Sequence, residues 1–343
     1  MKQFWILDFG FWIEESKRRS FFCLTLSALL CALCSTAGGQ ESGRVYRVGF
    51  LFAGNPPAVA SRIKAFREKL VELGYAEGKN LAIETRYGEG RGDRMPALAT
   101  ELVHLKVDVI LTAGPTDTRA AKNATNTLPI IMAQDSDPIA SGFVASLARP
   151  GGNITGLSTL SPQISGKQLE LLNEIVPKLS RVAVLRNPTE PGNAETLREM
   201  QLAGEAIAVR LQYLDVREPV DIANAFAKIA NDRANAVIVL RNPVASTHRK
   251  RIIDLTAKQR LPAMHVSPDW VEGGGLMSYS LDVLDNYRRA ATYVDRILKG
   301  TRPADLPVEQ PKKFEFVINL KTAKQIGLTI PQSVLYRADK VIK

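Results

Sequence analysis

Cysteine is nearly absent from this chain. Of 343 residues only three are cysteine, and Cys23, Cys31 and Cys34 all fall within 12 residues of one another near the start. The remaining length can therefore hold no disulfide, no thiol nucleophile and no cysteine metal site. Histidine is just as scarce. His104, His248 and His265 lie far apart, and each reads as a packing or surface residue, not as a catalytic base or zinc ligand. The loops that announce common enzyme chemistry are missing too: no GxxxxGK[ST], no GxSxG and no HExxH. Gly88-Glu89-Gly90-Arg91-Gly92 does not complete GxGxxG and reads as a glycine-rich turn. Asp135 and Asp137 stand two apart, but nothing else assembles a reaction around a paired-carboxylate site. The expectation is a protein that is not an enzyme and needs neither cofactor nor metal ion. Low-complexity tracts and charge blocks are absent as well, so disorder is not expected away from the ends.

What is present begins with an export segment. Lys17-Arg18-Arg19 supplies a basic n-region, Phe21 to Leu33 an apolar run, and Ser35-Thr36-Ala37 the small residues that a signal peptidase reads. The run is too short to span a bilayer stably. Residues 1–37 are read as a signal peptide cleaved close to Ala37, directing the protein to the periplasm. Arg18-Arg19-Ser20-Phe21-Phe22 fits a twin-arginine leader and equally a Sec signal with two arginines. Leu30 and Leu33 precede Cys31 and Cys34 where a lipoprotein needs a small residue. The formal charge is +10. Residues 1–37 hold four basic and three acidic side chains, so their loss leaves +9. The basic residues are scattered and form no platform with aromatics, so nucleic acid is not expected as a partner.

Beyond the leader the chain alternates. Apolar, β-branched runs recur at 47–53, 107–112, 128–133, 181–186 and 235–241, the pattern of parallel strands buried on both faces. Helical stripes lie between and after them: Val59, Ile63, Phe66, Leu70 and Leu73; Leu169, Leu172, Ile175 and Leu179; Tyr287, Ala291, Val294 and Leu298. Alternation over some 300 residues implies doubly wound α/β layers. Pro150, Gly151 and Gly152 break the chain, after which the series restarts, and LRNP closes an apolar run at 185–188 and again at 240–243. Two sheets therefore fit better than one. Residues 273–280 read as a further strand, and Thr301 to Pro311, with three prolines, as an extended crossover.

In open parallel sheets ligands bind beyond the carboxyl ends of the strands. Those positions hold Ala53-Gly54-Asn55-Pro56, Ala113-Gly114-Pro115-Thr116-Asp117, Gln134-Asp135-Ser136-Asp137-Pro138, Asn187-Pro188-Thr189 and Asn242-Pro243. The Asn, Asp, Ser and Thr side chains there either cap helices or grip a polar ligand together with the helix N-termini.

DPIASGFVASLARPGGNITGLS (137–158) resembles the signature of a bacterial family of ABC transporter substrate-binding proteins, the TrpX-like family with tryptophan- and tyrosine-binding members. GGLMSYSLDVLDNYRRAATYVDRILKGTRPADLPVEQPKKFEFVINLKTAKQIGLTIP (274–331) resembles its second signature, and the likeness extends over about residues 44–343. The resemblance implies the type I periplasmic binding protein fold: two Rossmann-like lobes, each a parallel sheet flanked by helices, joined by three crossovers. Lobe one is expected to use 44–158 plus about 283–310, and lobe two 159–282 plus about 311–343. Carried onto this chain, the resemblance implies ligand contacts from Asn55, Thr116, Asp117, Asp135, Ser136 and Asp137 in lobe one. Asn187 and Asn242 would serve in lobe two, with Ser158, Thr159 and Tyr279 near the crossovers. It also implies a role: capture of a small polar, amino acid-like solute and its delivery to an ABC permease and ATPase, with membrane contact only through the permease. A sensor that reports to a signalling receptor and an exported α/β enzyme remain alternatives.

Members of that family often carry a small residue where this chain has Asp117. A carboxylate buried there needs a cationic or strongly donating partner. Asp117 is expected either to meet such a group on the ligand or to be the N-cap of the helix holding Ala120 and Ala121.

Overall fold

The computed structural model describes residues 44–311 and 313–343. The export segment, its arginine pair and the cleavage near Ala37 lie outside the described residues.

The chain from Tyr46 onward builds two sheets. The first has the order β2-β1-β3-β4-β5, from β1 (Tyr46–Phe52), β2 (Leu81–Tyr87), β3 (Val109–Thr112), β4 (Ile130–Asp135) and β5 (Ile154–Ser158), and every pairing in it is parallel. Helices α1 (Pro56–Glu72), α2 (Met95–His104) and α3 (Pro115–Ala124) connect the first four strands. Each helix has a proline in its first turn, where the missing N–H costs nothing and φ is already helical. Val59, Ile63, Phe66 and Leu70 of α1 enter the core, and the stripe ends at Leu73, one residue beyond the helix.

The second sheet has the order β12-β11-β10-β9-β8-β6-β7. Its strands are β6 (Arg181–Arg186), β7 (Arg210–Asp215), β8 (Ala236–Val239), β9 (Ala263–His265), β10 (Met277–Leu281), β11 (Phe314–Asn319) and β12 (Lys340–Ile342). Helices α4 (Ser161–Ile175), α5 (Asn193–Ala206), α6 (Pro219–Asn231), α7 (Pro243–Thr247), α8 (Arg249–Lys258) and α9 (Pro268–Glu272) connect and cover it. Two apolar clusters, one on each face, are built from this sheet and its helices.

One expectation needs correcting here. The second sheet is not wholly parallel, because β11 pairs antiparallel with β10. The route of the chain explains this. After β10 the chain leaves for the first sheet, where α10 (Val283–Leu298) packs on α1 and places Tyr287, Ala290, Ala291, Val294 and Ile297 in the first core. It returns to enter β11 at the edge where β10 ended, so β11 must run backward. The returning segment is also less extended than its prolines suggest. Pro303–Asp305 forms a 3-10 turn, and Glu309 pairs beside β5, donating from its N–H to the Gly156 carbonyl at 2.9 Å and accepting from the Ser158 N–H at 2.9 Å. The chain thus passes between the two sheets after β5, after β10 and before β11.

Candidate functional site

Several contacts tie elements of the first sheet to elements of the second. The Thr116 hydroxyl donates to Glu190 Oε2 at 2.5 Å, and the Thr116 N–H to Oε1 at 3.3 Å. From α1, Arg62 Nη2 reaches Ser267 Oγ at 3.3 Å and Asp269 Oδ1 at 3.5 Å, while Arg249 Nη1 holds Asp269 Oδ2 at 2.8 Å. Gly192 comes so close to the loop after β4 that a Cβ on it would lie 3.1 Å from Ser141 Oγ and 3.5 Å from the Ser136 Cβ. Its φ of +78° adds a second reason for glycine at that turn.

These contacts enclose a cleft with two chambers. The outer chamber, about 690 Å³, is lined from one side by residues such as Thr116, Arg119 and Asn123 and from the other by Asn187, Thr189 and Arg217. The inner chamber is about 40 Å³, with room for a few waters. Ser136, Asn193, Arg241 and Ser280 line it, with Gln168 and Thr196. Neither chamber has an aromatic side chain in its lining.

The residues at the strand ends divide into those that hold the frame and those left for a ligand. Asn55 caps α1, accepting from the Ala58 N–H at 3.2 Å. Asn242 caps α7, accepting from Val244 and Ala245 and donating to the Val216 carbonyl at 2.8 Å. Asp137 accepts from the N–H groups of Ile139 and Ala140. Asn187 accepts from the Thr189 N–H and hydroxyl at the outer chamber's edge. Ser158 accepts from the Leu160 N–H, and Thr159 donates to the Asp135 carbonyl and shares a hydrogen bond with Ser161, so both brace the passage out of β5. Replacing Asn242 by Ala removes the cap and leaves the buried Val216 carbonyl without this donor. A loss of about 1–2 kcal/mol is expected, read as a lowered melting temperature.

Tyr279 is not in the cleft. Its ring stacks on Phe314 at 5.8 Å and meets Phe316 edge-on at 6.2 Å. Side chains alternate along a strand, and it is the neighbouring Ser280 that lines the inner chamber.

Asp117 is buried, but its oxygens are already engaged: Oδ1 accepts from the Ala53 N–H at 2.8 Å and Oδ2 from the Ala113 N–H at 3.1 Å. It ties the ends of β1 and β3 together. It is not the N-cap either, since that position is Gly114. Asp135 is the opposite case. It is 0% exposed, and neither carboxylate oxygen meets a donor in full hydrogen-bond geometry; the Asp137 N–H is the backbone donor that bears on it.

Glu190 and Arg241 were not among the strand-end candidates. Burial pushes Glu190 up to about 7, with the Thr116 hydrogen bonds and Arg241 pulling the other way. Burial, then the Glu190 charge, raise Asp135 and Asp117 well above the usual carboxylate range. At Asp135 the Asp137 N–H and then Arg241 pull downward while the Asp137 charge pushes up, and the two backbone donors restrain Asp117. Arg241 is lowered to about 10, first by burial and then by Arg62. Glu190 stands one residue past Asn187-Pro188-Thr189, and Arg241 immediately before Asn242. Their position beyond strands β6 and β8 was the signal available.

The ABC transporter substrate binding protein family model matches residues 51–342. The chain belongs to this family. Two solved structures align with most of this chain. A conserved domain protein from Vibrio cholerae superposes with a TM-score of 0.82 at 28% identity, covering 87% of this chain and all of that one. The ABC domain from Streptococcus pneumonia in complex with L-Trp superposes at 0.80 with 26% identity and the same coverage. The tyrosine-binding protein of Clostridioides difficile is 25% identical over 275 residues, 79% of this chain and 78% of its own. The fold is that of periplasmic binding proteins, and the family is one of ABC transporter substrate-binding proteins.

Proposed function

We propose that this protein is the periplasmic receptor of an ABC importer, that it traps an amino acid-like solute between two lobes, and that it hands the solute to a permease driven by an ATPase. Export by the leader at residues 1–37, through Sec or the twin-arginine route, places it there. The lobes divide the chain at 158/159, near 282/283 and near 310/311. The family match and the similarity to proteins named for tyrosine and L-Trp support the solute class.

The observation that carries the reading is Asp135. A buried carboxylate without a well-formed hydrogen bond is costly, and this one stands at the carboxyl end of β4, next to Ser136 in the inner chamber's lining. An ammonium group entering the cleft supplies the missing donors. Ser136, Asn193 and Ser280 supply neutral partners, and Arg241 receives a carboxylate. Lobe closure then buries the solute, and affinity follows from how much better the closed form holds it.

Native mass spectrometry of protein taken from the periplasm without refolding tests this. The wild-type protein is expected to carry a solute of discrete mass. Asp135→Asn is expected to bind that solute at least tenfold more weakly, about 1.5 kcal/mol, the lower end for a hydrogen bond to a charged group. An Asp135→Asn protein with undiminished affinity contradicts the placement of the ammonium.

A further inference from the structure

A charged side chain lies on the buried face of α1. Arg62 falls three residues after Val59 and four before Phe66, within the stripe that enters the first core, and it is 7% exposed. A buried cation is tolerated where it is paired. The acceptors that Arg62 meets belong to the second sheet: Ser267 Oγ at 3.3 Å and Asp269 Oδ1 at 3.5 Å, at the start of α9. We propose that Arg62 is a positioning residue for solute capture: with Ser267 and Asp269 it forms a latch between the two sheets that holds the cleft closed and touches no solute. The inference rests on the reading that two lobes close on a solute.

The contact can break without leaving a charge stranded. Asp269 accepts from Arg249 Nη1 at 2.8 Å and from the Ser267 hydroxyl at 2.5 Å, and both partners belong to the second sheet's own elements. Against the effect of burial, Arg62, Ser267 and Arg249 together hold the Asp269 carboxyl below the usual carboxylate range. On the other side, the Tyr287 hydroxyl of the first core acts on the Arg62 guanidinium, and parting of the sheets brings water to it. Opening therefore avoids the heavy cost of an uncompensated buried ion. The two distances also exceed the ~2.7–2.9 Å of a fully formed charged hydrogen bond, so the latch biases the closed form without locking it. Not every charge nearby favours closure. Arg62 repels Arg241, while Tyr287, Glu190 and Asp269 act on Arg241 in the opposite sense.

The position of the latch separates closure from specificity. None of Arg62, Ser267 and Asp269 lines either chamber. Thr116 and Glu190 also join the two sheets, but Thr116 lines the outer chamber. A change at Arg62 therefore alters the fraction of protein in the closed form. It shifts the affinity for every solute by one factor and leaves the order of preference as it was.

Pulsed electron resonance on solute-free protein tests the inference. Spin labels go at Asn123→Cys and Arg217→Cys, exposed positions on opposite sides of the outer chamber, with the three native cysteines replaced by serine. Protein dialysed free of solute is expected to show a short-distance population beside a long one. Arg62→Met keeps an unbranched stem and removes the charge, and it is expected to shrink the short population fivefold or more. Arg62→Lys is expected to retain part of what Arg62→Met loses, and a cooperative melting transition in each variant shows that the frame is intact. An unchanged short population in both variants, or no short population in the wild type, overturns the inference and leaves solute-driven closure standing. One fixed distance in every sample, with and without the solute that the periplasmic protein carries, overturns the inference together with lobe closure itself.

Discussion

Glu190→Gln is expected to raise the melting temperature of the solute-free protein at pH 8 and to leave it nearly unchanged at pH 5. Glu190 titrates near 7 in the folded protein against an ordinary value of 4.5. The folded state therefore binds the extra proton throughout the window between those values, and stability falls as pH rises from about 4.5 to about 7. Below 4.5 both states are protonated and nothing is lost; above 7 the full penalty is present. The displacement corresponds to about 3 kcal/mol. Glutamine removes the charge without removing the contacts, because its carbonyl accepts from the Thr116 N–H and the Thr116 hydroxyl can accept from the amide. An increase on the order of 5 °C at pH 8 follows for a chain of this size. Asp117 and Asp135 are displaced in the same direction, so a weaker slope of the same sign persists in the variant. Melting curves at pH 5, 6, 7 and 8 check this. Equal stability of the two proteins at pH 8 would mean that Glu190 is not held away from water as described.

Gly156→Ala is expected to prevent folding to the native state. Gly156 sits in β5 opposite Met132 of β4, with φ at +132°, and a Cβ there would lie 2.3 Å from the Met132 carbonyl oxygen and 2.6 Å from its nitrogen. Both obstacles are backbone, so no rotamer change relieves them, and the φ itself disfavours any L side chain. The register of β4 with β5 shifts between Met132 and Asp135, so the same strain would displace Asp135. A loss above about 4 kcal/mol is expected, seen as insolubility or a melting point lowered by 10 °C or more. A soluble variant melting with the wild-type protein would contradict this geometry.

Gly156 illustrates what the sequence could and could not reveal. It belongs to the NITGLS end of the signature that marked the family, yet the need for glycine appears only when β4 lies beside β5. The strand at 181–186 was legible to the residue because both its faces are buried. β2 and β7 gave no comparable apolar run, since they are edge strands with half-exposed side chains. The antiparallel β11 followed from the path of the chain through the other sheet, which no local pattern encodes. At the site, strand ends located the cleft but not the direction of each side chain. Tyr279 and Ser280 differ by one step of the pleat. Asn55 and Asn242 serve their own helices, and Asp117 serves two backbone N–H groups. Glu190 and Arg241, flanking residues that had been singled out, carry charge into the interior. Their importance rests on burial, which a sequence alone does not state.

The claim at the centre of this account is that solute binding closes two lobes on each other. With Cys23, Cys31 and Cys34 replaced by serine, spin labels at Asn123→Cys and Arg217→Cys stand on exposed positions on opposite sides of the outer chamber. Their separation can be measured by pulsed electron resonance in the presence and absence of the solute that native mass spectrometry of the periplasmic protein identifies. The account predicts a longer or broader distance distribution without solute, collapsing to one short distance with it. An identical distribution in both conditions, with binding shown by calorimetry, would contradict it.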